Sequence, residues 1–238
     1  MTTLHTFEGF PQAGLDFLRE LAQNNTREWF EPRKEAFIRT LRDPAVAFIA
    51  TLGERLQTIS PEIRVDLRTN GSGSLMRFNR DTRFSDNKAP YKTELPMMWW
   101  EGPGKKMQHP AFGLRVRPVG VGMMAGMFGF DKDMLAAYRE AVNHDTLGPG
   151  LAAVLDDMRG QGYSIVGEHY KRVPRGFDAG HPRADLLRYN ALYAALADDI
   201  PPAIVTTPEL VDVCFEHCRA MAPVQQWLVK IARRADLQ

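Results

Sequence analysis

The chain has 238 residues, 44% of them hydrophobic, enough to bury a sizeable core at the upper end of what one domain holds. Thirty basic against twenty-nine acidic side chains leave a formal net charge of +1. That balance excludes a molecule-wide field driving the protein onto nucleic acid or anionic lipid, so any preference for anions has to be local.

Met1 to Phe10 lacks the cationic start and apolar run of a leader, and no stretch approaches the roughly 20 apolar residues of a membrane span. The two cysteines, Cys214 and Cys218, stand four apart, which places them on one helix face instead of in a disulfide framework. The expectation is a cytoplasmic protein without a membrane partner.

Phe7 to Gln23 has apolar residues at helical spacing, with Pro11 in a first turn. Asn24-Asn25-Thr26 breaks it, and Thr26 is the expected cap of a second helix from Arg27 towards Thr40. Pro44 marks a third helix start, which runs until Ser60-Pro61. From Ile63 the period falls to two, predicting a strand to Leu67, a turn over Thr69 to Ser74, and a returning strand through Leu75, Met76 and Phe78.

Leu95 to Trp100, Ala111 to Pro118 and Val121 to Phe128 are apolar runs suited to neighbouring antiparallel strands, the last two joined at Val119-Gly120. Helical spacing returns over Asp131 to Val142 and Leu151 to Met158, followed by strands at Tyr163 to Val166 and His169 to Val173. Asp185 to Ala197, Pro208 to Met221 and Pro223 to Ala232 read as closing helices. Gly102 to Lys106 is the expected loop tip and Gly148-Pro149-Gly150 the expected hinge between helices. Helices, then strands, then helices again give an α+β fold with a mostly antiparallel central sheet flanked by helices, as one domain over residues 1–238.

One segment stands out. Arg77 to Thr93 packs five cations and a polar assortment into a stretch without helical or strand periodicity. Arginine offers a planar fork suited to carboxylate or phosphate, lysine a mobile point charge, and Asn, Thr, Ser and Tyr can fix orientation. The candidate ligand-binding residues here are Arg77, Asn79, Arg80, Asp81, Arg83, Lys88, Tyr91 and Lys92. The competing structural reading is that Asp81 and Asp86 neutralise the segment through internal ion pairs. Phe78, Phe84 and the Pro90 ring are expected to anchor the loop on the core.

Lys171, Arg172 and Arg175 form a second cationic stretch and join the set as a possible opposite wall, the alternative being a solvated strand end. Asn24, Asn25, Arg27 and Trp29 make a polar and aromatic corner in which helix capping accounts for the asparagines.

Three ordered motifs across nearly the whole chain resemble the uncharacterised bacterial and fungal proteins grouped as domain of unknown function 2461. They are Phe17 to Leu21 with Asn24 to Phe30, Arg80 to Ser85 with Lys88 to Thr93, and Lys171 to Phe177 with His181-Pro182. The resemblance implies a single intracellular α+β unit and carries no reaction, cofactor or substrate. Phe112 to Arg115 departs from it, since a more aromatic strand start is expected there.

Other chemistries fit less well. His217 with Cys214 and Cys218 lacks the further ligands a zinc site requires, and buried thiols explain the group more simply, so no metal site is assigned. No Gly-x-Ser-x-Gly elbow or phosphate-binding Gly-Lys-Ser/Thr loop is present, and no cofactor is implied. If the site is catalytic, Tyr91 or Lys92 is the proton donor, Asp81 the base, and Arg77, Arg80 and Arg83 stabilise developing negative charge. The leading expectation is a binding module or enzyme for a small phosphate- or carboxylate-bearing molecule. The alternatives are a nucleic-acid-associated protein using the same cations on phosphates, against which the neutral total charge argues, and a scaffold recognising an acidic protein surface.

Overall fold

The apolar runs in the middle of the chain form the strands expected of them. In the computed structural model, which describes residues 6–103 and 105–235, β1 (Ile63–Arg64), β2 (Leu95–Glu101), β3 (Ala111–Arg117), β4 (Gly120–Met127), β5 (Ser164–Glu168) and β6 (Tyr189–Ala195) make one antiparallel sheet. The strand order is β1-β2-β3-β4-β6-β5. β2, β3 and β4 are buried at almost every position, which is why they read as continuous runs and not as alternation. With helices before and after this sheet the fold is α+β. Gly104 of the expected loop tip, and Met1 to His5 of the expected leaderless start, lie outside the described residues.

The chain forms two compact units. One takes in the chain to Trp99, Gly113–Met123 and Asp198–His217. It holds α1 (Gln12–Gln23), α2 (Arg27–Phe30), α3 (Lys34–Phe37), α4 (Asp43–Leu56) and α7 (Pro202–Val205). Leu15, Leu18 and Leu21 of α1 and Phe48, Ile49, Leu52 and Leu56 of α4 bury their stripes with Trp99, whose indole N–H donates to the Ile49 carbonyl at 3.1 Å. The other unit contains Trp100–Phe112, Met124–Ala197 and the chain from Cys218 on. There α5 (Lys132–Asn143) and α6 (Leu147–Gly160) bury Tyr138, Leu151 and Leu155, and the Tyr138 hydroxyl donates to the Leu186 carbonyl at 3.0 Å.

Several expectations need correction. Asp185 to Ala197 is a short 3-10 turn, Leu186–Arg188, and then strand β6, in register with β4 (Met124 opposite Ala195) and β5 (Ile165 opposite Ala194). Its leucines and alanines favour a helix, but pairing with a strand on each side gives its backbone groups partners and overrides that preference. His169 to Val173 is not a strand; the His169 and Tyr170 N–H groups both donate to the Arg188 carbonyl and the chain turns away.

The two closing helices are one, α8 (Leu210–Ala235), with Pro223 inside it. Proline removes one backbone hydrogen bond there, while apolar residues on both sides of it, Met221, Ala222, Val224 and Leu228, are buried. Gly148-Pro149-Gly150 is no hinge and lies in the first turn of α6; the break falls at His144 to Thr146. The strand from Ile63 ends at Arg64, because Asp66 and Ser74 close a loop on each other: the Ser74 N–H donates to the Asp66 carbonyl at 2.7 Å. Ser74 to Met76 then runs along β2 instead of returning on β1.

Candidate functional site

The Arg77 to Thr93 segment owes its shape to a short neck. Asn79 pairs with Tyr91 in an antiparallel bridge, the Arg80 N–H donates to the Pro90 carbonyl at 2.8 Å, and the Lys92 N–H to the Phe78 carbonyl at 2.9 Å. Residues 81–89 hang from it as a loop that satisfies itself. Arg83 grips Asp81 with Nε and Nη2 at 2.9 and 2.7 Å, and Lys88 Nζ donates to the Thr82 carbonyl at 3.0 Å. Arg83 and Lys88 are thereby turned onto the loop's own oxygens, as the ion-pair reading of the segment has it.

Phe84 does not anchor the loop: it is 96% exposed at the tip, with the Arg83 guanidinium 5.8 Å from its ring centroid. Phe78, by contrast, is buried. The Arg83 side chain, and then the Arg83 backbone N–H, hold the Asp81 carboxyl well below its ordinary 3.8, at about 2, which disqualifies it as a base near neutral pH. Because the folded value is depressed, the pairing is complete above pH 3.8 and is lost as pH falls through about 2. A carbon-13 NMR titration is expected to place the Asp81 midpoint near 2, and Arg83→Gln to return it towards 3.8. An unmoved midpoint in the variant would refute this loop geometry.

Tyr91 is held from outside the segment. Asn25 Nδ2 donates to the Tyr91 carbonyl at 2.9 Å and Asn25 Oδ1 accepts from the Tyr91 N–H at 3.0 Å, so one amide completes both backbone groups as a neighbouring strand would. Of the two asparagines expected to cap, Asn24 caps the C-terminus of α1, its Nδ2 donating to the Glu20 carbonyl at 2.9 Å, while the N-cap of α2 is Thr26, whose Oγ1 accepts from the Trp29 N–H at 3.2 Å. The Tyr91 ring stacks on Phe30 at 4.1 Å. Burial first, and then the charge of Glu31, raise the pKa of its hydroxyl, which remains a neutral donor at physiological pH.

On one side of Tyr91 lies a cavity of about 260 Å³. Its floor is aromatic, made by Phe30, Phe37, Phe78 and Tyr91. Lys34, Arg42 and Arg77 line it with Asn70 and Asn79, and no carboxylate is among the lining residues. Arg42 pairs with Asp43 at 2.8 Å, whereas Lys34 and Arg77 form no salt bridge among the described residues, although the Arg77 charge acts on Asp81. The helical wall follows from spacing: Phe30, Lys34, Phe37 or Ile38, and Arg42 recur every three to four residues and so share a face. The expected single helix from Arg27 is broken there into α2, a 3-10 turn at Pro32, α3 and a wide π turn, Ile38–Arg42. On the facing wall Gly71, with φ at +86°, lets the chain turn where a Cβ would stand 2.8 Å from that of Arg77.

On the other side of Tyr91 is a wider trough of about 510 Å³, lined by Asn25, Arg80, Asp81, Asn87, Lys92, Thr93 and Glu94 among others. Glu94 is engaged by Arg115 at 3.2 Å. Burial lowers the pKa of the half-buried Lys92 amine; Glu94 opposes this and Arg115 reinforces it.

A family model described as "Conserved hypothetical protein (DUF2461)" matches residues 13–227. The chain belongs to this family. No curated protein and no solved structure matches it significantly. In this DUF2461 protein the sequence-derived set is divided: Arg77, Asn79 and Tyr91 line the cavity, Arg80, Asp81, Tyr91 and Lys92 line the trough, and Arg83 and Lys88 serve the loop. Lys171, Arg172 and Arg175 belong to the second unit, exposed on a turn, and line neither space. Sequence reasoning missed Phe30, Lys34, Phe37 and Arg42, whose common helical face was the available signal. No described helix is long and apolar enough to cross a membrane.

Proposed function

We propose that this DUF2461 protein binds a small molecule with a carboxylate or phosphate head and an apolar body in the aromatic-floored cavity. The observation that carries the reading is the composition of the lining: three cations and no carboxylate around four rings. Cations outnumbering carboxylates favour an anionic guest, and the rings favour an apolar or planar body. Arg77 takes the head, Lys34 adds charge, and the Tyr91 hydroxyl orients the guest as a neutral donor. The nucleic-acid alternative is weakened because Arg83 and Lys88, two of the cations it would place on phosphates, are already bound to oxygens of their own loop.

A thermal-shift screen with benzoate, indole-3-acetate, phenyl phosphate and inorganic phosphate tests this, since a ligand bound to the folded state raises Tm by mass action. The apolar-bodied anions are expected to stabilise the parent, and Arg77→Ala to weaken them about tenfold or more, the value of one charge-assisted hydrogen bond. Equal responses from parent and variant, or none from either, would overturn the assignment.

A further inference from the structure

The trough beyond Tyr91 carries a different chemistry. Both of its carboxylates are engaged by cations that do not line it, Asp81 by Arg83 and Glu94 by Arg115. Arg80 and Lys92 form no salt bridge among the described residues, although the Glu94 charge acts on Lys92; the one side-chain hydrogen bond of Arg80 is a long one, 3.4 Å to the Ser85 hydroxyl. The neck sets the two close together. Arg80 stands opposite Pro90, and Lys92 opposite Phe78, so they are diagonal neighbours on one face of the ladder, about 7–8 Å apart at Cα. Side chains of that length can reach a common point in the trough.

We propose that Lys92 is a nucleophilic amine which condenses with an aldehyde or ketone bearing a carboxylate, such as a 2-oxo acid, while Arg80 grips the carboxylate. A lysine becomes a nucleophile when it is desolvated or placed beside another cation. Lys92 meets the first condition, being half-buried; among the charges acting on it, Glu94 outweighs Arg115. The neutral amine attacks the carbonyl carbon: a C–N bond forms and the carbonyl π pair moves to oxygen, which is protonated. The carbinolamine then expels this oxygen as water and the nitrogen gives up its remaining proton, leaving C=N. One water leaves in all, and no electrons are gained or lost. Asn87 and Thr93 line the same trough and offer N–H and O–H groups to the departing oxygen. This site stands apart from the cavity proposed above, sharing only Tyr91 with it.

The test uses the full chain with glyoxylate and cyanoborohydride, which reduces an imine to a stable carboxymethyl amine, followed by peptide mapping. Lys92 is expected to be labelled about tenfold faster than the exposed Lys132, a ratio equivalent to about 1.4 kcal/mol. With glycolaldehyde, which lacks the carboxylate, the advantage shrinks, and Arg80→Gln removes the preference for glyoxylate while leaving Lys92 reactive. Labelling of Lys92 no faster than Lys132, or an Arg80→Gln protein that still prefers glyoxylate, would overturn the proposal. Either failure leaves the thermal-shift response of the cavity, which depends on Arg77, unaffected.

Discussion

Replacing Tyr91 with alanine is expected to lower the free energy of unfolding by about 3–4 kcal/mol. The ring is buried and stacks on Phe30 at 4.1 Å, with Phe78 at 6.1 Å, and its loss opens a gap between the rings on either side. Because the ring also lines both the 260 Å³ cavity and the trough, water can enter the gap, which sets the estimate below the upper limit for a sealed core site. Tyr91→Phe keeps the stacking and should stay within about 1 kcal/mol of the parent. Urea unfolding of the two variants measures both terms. If alanine and phenylalanine cost the same, the hydroxyl and not the stack is what matters, and the packing account is wrong.

Asn25→Ala should cost about 2 kcal/mol, more than an exposed loop asparagine is worth. Its amide satisfies the N–H and the C=O of Tyr91, 66 residues away, at 3.0 and 2.9 Å, and alanine leaves both partly buried groups without that partner. The N-cap of α2 is untouched, since Thr26 supplies it. A capping role at Asn25 would instead make Asn25→Asp neutral, because aspartate caps as well as asparagine. In the bridging role Asn25→Asp is costly, since a carboxylate cannot donate to the Tyr91 carbonyl and repels it. The comparison of alanine and aspartate by denaturant unfolding therefore separates the roles. Loosening Tyr91 should also weaken any anion that Arg77 stabilises, because the floor of the cavity is no longer held.

These two residues also show how far the sequence could be read. Tyr91 was expected among the candidate residues because it stands among cations in an aperiodic segment, and it lines both spaces. Asn25 was visible only as a turn residue: its partner is a backbone group far along the chain, and no local pattern encodes such a bond. The reverse holds for Arg83 and Asp81, whose closeness in sequence permitted an ion pair to be anticipated. Phe84 was misread because an aromatic side chain carries no sign of whether it faces core or solvent outside a periodic element. Asp185 to Ala197 was misread for a related reason: with the adjacent Ala191 and Leu192 both buried in the sheet, the strand shows no clean alternation, and its composition favours helix.

By itself the amino-acid sequence determined the α+β class, the helices of α1, α4, α5 and α6, the apolar strands β2 to β4, and the cationic segment, because each is written in a local period or a local concentration of charge. Only the tertiary structure decided which cations form salt bridges and which do not. That depends on partners brought in from elsewhere: Asp43 occupies Arg42 and Arg115 occupies Glu94, while among the described residues Lys34, Arg77 and Lys92 form no salt bridge, though Asp81 and Glu94 act on the last two at longer range. Availability of charge is a property of three-dimensional neighbours, since an ion pair forms at a few ångströms and is indifferent to separation along the chain.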